Sequence, residues 1–319
     1  MGVAQHTLLG LDAAAYVPHE LHRGERAWLE SNCYVDLWIE VLHALGRDPH
    51  ACLAFCLATD YEGDQWTFFK PPLADLEALY GIDVQELNVW DVLLRHVVGQ
   101  VERGRLVTVE VDSFFLPDTA GTTYRTEHGK TTIAVETIDA AGERLGYFHN
   151  GGYHALAGED FRGVLAQTLL PPYCEFVRLG GLRSPEAAEA ALLLDEHLAR
   201  RPRRNPIAAW AAAFAGADKP WLENGSLADF HRYAFATVRQ CGAAHELGAI
   251  FLRWLEQRGQ GRPGFAAAIA SLDAIAADAK VMQFKLARAV NGKRAVDVAG
   301  VLAQMAASWD TAMAALGAR

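Results

Sequence analysis

The chain has 319 residues, 51% of them hydrophobic and 21% charged, with a formal net charge of −10. That usage belongs to a globular protein, and the length supplies one large domain or two, which excludes disorder as the main theme. No apolar run approaches the ~18 residues of a membrane span. The N-terminal MGVAQHTLLG lacks the basic region and cleavage site of a signal peptide, so a cytoplasmic protein is expected.

The five cysteines (33, 52, 56, 174 and 241) are odd in number and scattered, which is no disulfide framework and fits a reducing compartment. Residues 1–182 carry 12 basic and 26 acidic groups, net −14, whereas residues 183–319 carry 17 and 13, net +4. An acidic front half argues against a nucleic-acid binder, which needs a basic surface to collect phosphates. The asymmetry marks the two halves as different units.

In chain order, Tyr34, Leu37, Trp38, Val41, Leu42 and Leu45 fall on one helical stripe behind Asn32, closed by Gly46. Residues 65–69 read as a strand and 73–81 as a short helix. Asn88 is expected to cap a helix carrying Trp90, Leu94, Val97, Val98 and Val101. Residues 106–112 alternate with period two, Val107, Val109 and Val111 on one face and Thr108, Glu110 and Asp112 on the other. Two further strands, 131–138 and 143–149, are joined by a hairpin turn at 139–142.

No strand pattern follows Ser184. Alanine supplies 37 of the 137 residues from 183 to 319, which favours helix because Ala loses no side-chain entropy there. Ser184-Pro185 reads as an N-cap with Pro at N1, and Ser226 with Asp229 as a capping box. Breaks at 201–206, 216–220, 259–264 and 291–292 divide the region into five or six helices. The expected domains are 1–182, of mixed helix and strand, and 183–319, all helical.

Cys33, His128 and Asn150 form the strongest chemical constellation. A thiol at a helix start meets the positive end of the dipole and unpaired N–H groups, which favour the thiolate; the plainer reading is a buried structural cysteine. His128 precedes the strand from Thr131, and Asn150 follows the strand ending at His149, so both emerge at one end of the ribbon. An amide there can hold a base imidazole in its working tautomer. A solvent loop histidine and a turn asparagine are the plainer readings. Asp112 is the second candidate to orient the imidazole, and His149 the second candidate base. Cys52 with Cys56 and His149 with His154 lack companion ligands, so no metal is expected. No glycine-rich phosphate loop is present. Arginines 200, 201, 203 and 204 form the densest basic run, either a solvated linker or a dock for an acidic partner.

The runs ESNCYVDLWIEVLHALG, DQWTFFKPPLADLEALYGIDVQEL and VTVEVDSFFLPDTAGTTYRTEHGKTTIAVETID, with GYFHNGGYHAL beyond, resemble the papain-like proteins of the butirosin biosynthesis protein H (BtrH) type and a related bacterial family of similar length. The resemblance spans roughly residues 20–180. It implies an α+β N-terminal domain, a helix packed on an antiparallel sheet, followed by an all-helical C-terminal domain. It implies a cysteine-dependent acyl- or aminoacyltransferase that takes its group from a carrier-protein thioester through an acyl-Cys33 intermediate. In that reading Cys33 is the nucleophile, His128 the base, and Asn150 stands where the family has Asp or Asn. Ala27, six residues before Cys33, replaces the oxyanion glutamine of papain-like proteases, leaving the Cys33 N–H with Asn32 or Ser31 for that task. No resident cofactor is implied; phosphopantetheine arrives on an acidic carrier protein, for which Arg201, Arg203 and Arg204 are the docking candidates. The alternatives on the same fold are a cysteine hydrolase (peptidase, amidase or thioesterase) and a non-catalytic binding protein.

Overall fold

A computed structural model describes residues 6–166 and 173–317. The chain forms two compact units. The first comprises residues up to Gly24, Asn32–Pro49 and Leu73–Ser184; the second comprises Glu25–Ser31, His50–Pro72 and the chain from Pro185. A single division at 182/183 therefore leaves out two excursions of the front half, which belong to the helical unit.

The first unit is α+β, built on an antiparallel sheet. Its elements are β1 (His6–Thr7), α1 (Cys33–Ala44), α2 (Leu73–Tyr80), β2 (Asp83–Glu86), α3 (Leu93–Val101), β3 (Leu106–Asp112), β4 (Lys130–Asp139), β5 (Arg144–His149), β6 (Gly152–Ala157), α4 (Glu159–Ala166) and β7 (Cys174–Arg178). The strand order is β2-β7-β3-β4-β5-β6, with β1 also pairing β4. On one face Val107, Val109 and Val111 join Ile133, Val135, Leu145 and Tyr147 beneath α3 and α4. Alternation turns Thr108, Glu110 and Asp112 to the other face, the one α1 covers.

Expected helix and strand bounds differ from the structure where side chains compete with local pattern. The helix expected behind Asn88 begins at Leu93, with Val92 at the N-cap and no side-chain cap bond. Instead the His96 ring, Nε2, accepts from Trp90 N at 3.3 Å and Asp91 N at 3.2 Å, and Trp90 is exposed rather than part of the apolar stripe. The strand expected at 65–69 is reduced to one bridge, Tyr61 with Trp66, because Trp66 packs edge-on against Trp210 and near His245 instead of joining a ladder.

The second unit is helical: α5 (Ala187–Arg200), α6 (Pro206–Ala213), α7 (Lys219–Asn224), α8 (Leu227–Tyr233), α9 (Arg239–Gln257), α10 (Phe265–Asn291) and α11 (Ala299–Ala315). The Ser226–Asp229 capping box forms with both bonds, but α5 starts at Ala187, so Ser184 is not its cap. The break expected at 216–220 is a π-helical turn, Phe214–Asp218, which carries α6 into α7. Such a turn widens the ladder where Pro220 has no N–H to give. The two front-half excursions join this unit through specific contacts. Trp28 donates from Nε1 to Ala276 O at 3.0 Å, Ala27 N donates to Glu246 Oε1 at 2.9 Å, and Arg26 pairs with Glu246 at 3.0 Å. A methyl on Gly242 would sit 2.3 Å from the Trp28 ring, so only glycine admits the indole there.

Candidate functional site

Cys33 is the first residue of α1. Asn32 caps the helix, its side chain accepting from Tyr34 N at 3.1 Å and Val35 N at 3.0 Å. This leaves the Cys33 N–H, at N1, without an intrahelical acceptor. Across residues 31–42 every side chain is buried except Cys33, which is partly open to solvent. The helix that sequence periodicity presents as one-sided is thus buried on every face over its first ten residues, save at the thiol; only its last turn, His43 and Ala44, is again partly open.

Two polar networks fix α1. Tyr34 donates to Glu175 Oε2 at 3.1 Å, and Thr108 donates to the same oxygen at 2.8 Å, which ties the helix start to β3 and β7. Burial, with the Glu175 charge beside it, pushes the Tyr34 hydroxyl up and keeps it a donor. One and two turns on, Asp36 and Glu40 flank His22, whose Nδ1 bonds Glu40 and whose Nε2 lies 3.3 Å from Asp36 in an ion pair lacking hydrogen-bond geometry. Tyr16 donates to Glu40 at 2.6 Å and His19 N donates to it at 3.0 Å. Burial lowers the His22 imidazole, but the two carboxylates outweigh it and hold it at about 9. A methyl on Gly151 would lie 2.8 Å from the His22 ring, so the β5–β6 turn closes directly over this cluster.

His128 is held by Asp112, not by Asn150. Its Nδ1–H donates to Asp112 Oδ2 at 2.6 Å, while Asp112 Oδ1 accepts from Phe114 N at 3.0 Å and Gly129 N at 3.2 Å. The ring stacks on Phe114 at 4.5 Å between centroids, with over half its side chain in solvent. Register explains the correction. Asp112 faces Lys130 across β3 and β4, two residues from His128. Ala134 faces Phe148 across β4 and β5, which sets Asn150 beside Thr132, four residues or roughly 13 Å of strand short of His128. Asn150 has φ 47° and turns the chain into β6. His149 is also excluded as a free base: Nδ1 bonds Asp118 at 2.5 Å, Nε2 bonds Thr131 at 2.8 Å, and the ring is buried.

Cys33 and the imidazole share a face of the sheet. Tyr34, beside Cys33, is anchored at Thr108; Asp112 lies four residues, roughly 13 Å, along the same face of β3. Among the described residues no hydrogen bond links Cys33 to His128. Of the other expected residues, Asn32 spends its side-chain oxygen on capping α1, and Ser31 is buried in the second unit. Arg201 donates to Leu198 O at 3.2 Å and Gly317 O at 2.5 Å, closing helix ends, and the exposed Arg200 pairs with Glu196 at 3.8 Å, which leaves the exposed Arg203 and Arg204 as the docking candidates. Glu175 escaped sequence reading because a glutamate in the short strand CEFVR carries no local sign of its long-range partners.

Cys33 at a buried helix start and an Asp-held imidazole on the same sheet face, followed by a helical unit, define a two-domain α+β protein with a candidate thiol site. The chain belongs to the DUF1839 family: the family's N-terminal domain matches residues 17–179 and its C-terminal domain residues 184–318. No curated protein matches the chain.

Proposed function

We propose that the protein is a cysteine-dependent acyl- or aminoacyltransferase with papain-like chemistry of the BtrH type, acting in the cytoplasm on a carrier-protein thioester. The observation that supports this most is the partial exposure of Cys33 at the start of α1, whose next nine residues are all buried, on the sheet face that carries the Asp112–His128 pair. Substrate binding brings His128, half in solvent, bonded through Nδ1 and stacked on Phe114 with Nε2 left for the reaction, to the thiol; catalytic contacts commonly tighten in this way on binding. His128 takes the Cys33 proton at Nε2, and the thiolate attacks the thioester carbonyl, forming a new C–S bond. The tetrahedral oxyanion, served by the Cys33 N–H, collapses and expels the phosphopantetheine thiolate, which takes a proton from His128. The acceptor amine then attacks acyl-Cys33, gives its proton to His128 and releases the thiol. Asp112 keeps the imidazole in the tautomer whose Nε2 faces the reaction. Thioester exchange is near balance, so positioning supplies much of the catalysis. An acidic carrier protein docks through Arg203 and Arg204, and its phosphopantetheine is part of the substrate.

The test is intact mass of the protein after incubation with an acylated carrier protein. An adduct on wild type, absent from Cys33→Ala, is the expected result. Release of free acid without acceptor identifies a hydrolase. Neither adduct nor free acid overturns the catalytic reading and leaves a binding protein.

A further inference from the structure

The second unit contains a cavity of about 300 Å³ between α6, the π-turn after it and the start of α11. Its buried lining is apolar: Phe214, Val296, Val298 and Leu302, with six alanines completing the walls. Two charged residues also line it, Lys219 and Asp297, of opposite sign. Among the described residues neither makes an ion pair or hydrogen bond through its side chain. The walls are held by long-range bonds rather than by the charges. Asn205 Nδ2 donates to Ala306 O at 2.7 Å, fixing α6 on α11, and Val296 N donates to Glu223 Oε1 at 2.8 Å, fixing the loop before α11. Phe214 and Ala215 come from the π-turn, a distortion that recurs at binding sites because it re-aims side chains which a regular helix would stagger.

A preformed apolar hollow at the small end of ligand-pocket sizes, with a few polar groups to orient its occupant, is the usual form of a small-molecule site. The charges select the ligand class. A fatty acid would satisfy Lys219 and oppose Asp297, an amine the reverse, and a neutral hydrocarbon would leave both unmatched. A zwitterion with an apolar body matches all three elements. We propose that this cavity binds a free α-amino acid with an apolar side chain, its carboxylate on Lys219, its ammonium on Asp297 and its side chain against Phe214 and Leu302. The site lies wholly in the second unit and does not depend on acyl-transfer chemistry at Cys33.

Calorimetric titration of the full-length protein tests this with four probes: L-leucine, 4-methylpentanoate (no ammonium), L-leucinamide (no carboxylate) and glycine (no side chain). L-leucine is expected to bind, and each of the other three about ten-fold or more weakly by comparison, since each loses one matched group. Lys219→Met should weaken L-leucine while leaving L-leucinamide unchanged, and Asp297→Asn should weaken L-leucine while leaving 4-methylpentanoate unchanged. Ala303→Trp, at an exposed rim position, should abolish binding of L-leucine. The ligand series needs no variant, so it stands even where a substitution disturbs folding. No heat with L-leucine, equal binding of glycine or 4-methylpentanoate, or unaltered affinity in Ala303→Trp overturns the proposal.

Discussion

Among the described residues the buried carboxylates Asp36, Glu40, Asp75, Asp112, Glu136 and Glu175 all lie in the sheet unit, while the polar interior of the helical unit is limited to groups such as Thr237, Gln240, His197 and His245. The helical unit fills its interior by stacking alanine, leucine and aromatic side chains between α9, α10 and α11. Even its fully buried histidine is kept neutral: burial pushes His245 down to about 4, and Nδ1–H donates to Cys241 O at 2.7 Å. The difference teaches where this protein needs accuracy. A buried carboxylate is tolerable only when its oxygens are hydrogen-bonded, and here the partners include segments distant in the chain. Glu136, for example, gathers Thr7, Leu8 N, Leu9 N and Tyr153. Such networks set register and helix position far more sharply than apolar stripes do, and two of them anchor α1.

The largest expected effect lies in the chemistry of the sheet unit. Asp112→Asn keeps the oxygen that accepts Phe114 N and Gly129 N but removes the charge facing His128. Acyl transfer measured with a carrier-protein donor should fall by roughly a thousand-fold or more, whereas Asn150→Ala should stay within about three-fold of wild type. The reverse order would return Asn150 to the site and remove Asp112 from it.

Stability should separate the two units next. Glu40→Ala strands His22, Tyr16 and His19 N in a buried place and should cost about 3–5 kcal/mol in urea unfolding of the sheet unit. Ala270→Gly, at an exposed interior position of α10, should cost only ~1 kcal/mol in the helical unit. Equal costs would dissolve the contrast.

A pH series gives a further cut. His22 is raised in the folded state to about 9, above the ordinary 6.5. Its contribution is therefore fully present below pH 6.5 and is lost as pH rises through 9, on the order of 3 kcal/mol in all. Thermal unfolding of the sheet unit followed from pH 6.5 to 10 should show that loss, and His22→Gln should flatten it. A wild-type profile as flat as the variant's would mean that His22 is not charged between Asp36 and Glu40.

The smallest effect concerns the arginine run. Replacing Arg203 and Arg204 with Ser should slow transfer from a carrier protein about two- to five-fold at low salt and leave a small thioester donor unaffected, because each exposed contact contributes only ~0.2–1 kcal/mol. Adding Arg201→Ser should change stability instead, since that guanidinium closes helix ends.

Sequence alone determined what depends on near neighbours. The placement of Cys33 at a helix start follows from Asn32 and the stripe behind it, and α1 begins at Cys33. The period-two alternation of residues 106–112 marks β3, and the alanine content with the Ser226 capping box marks the helical rear. Each of these signals is complete within a few residues, where propensity and periodicity act. Tertiary structure decided the rest. Whether Asp112 or Asn150 meets His128 turns on the pairing of Ala134 with Phe148, a register that no residue near His128 encodes. Asp36 and Glu40 lie off the apolar stripe of α1, and only the approach of residues 16–22 buries and pairs them. Trp28 and Trp66 belong to the helical unit only because Gly242 and Trp210, far along the chain, receive them. Lys219 and Asp297 become one site only when α11 returns to α6. A chain's local pattern sets which elements form; the partner a polar side chain finds depends on distant segments whose approach the pattern does not contain.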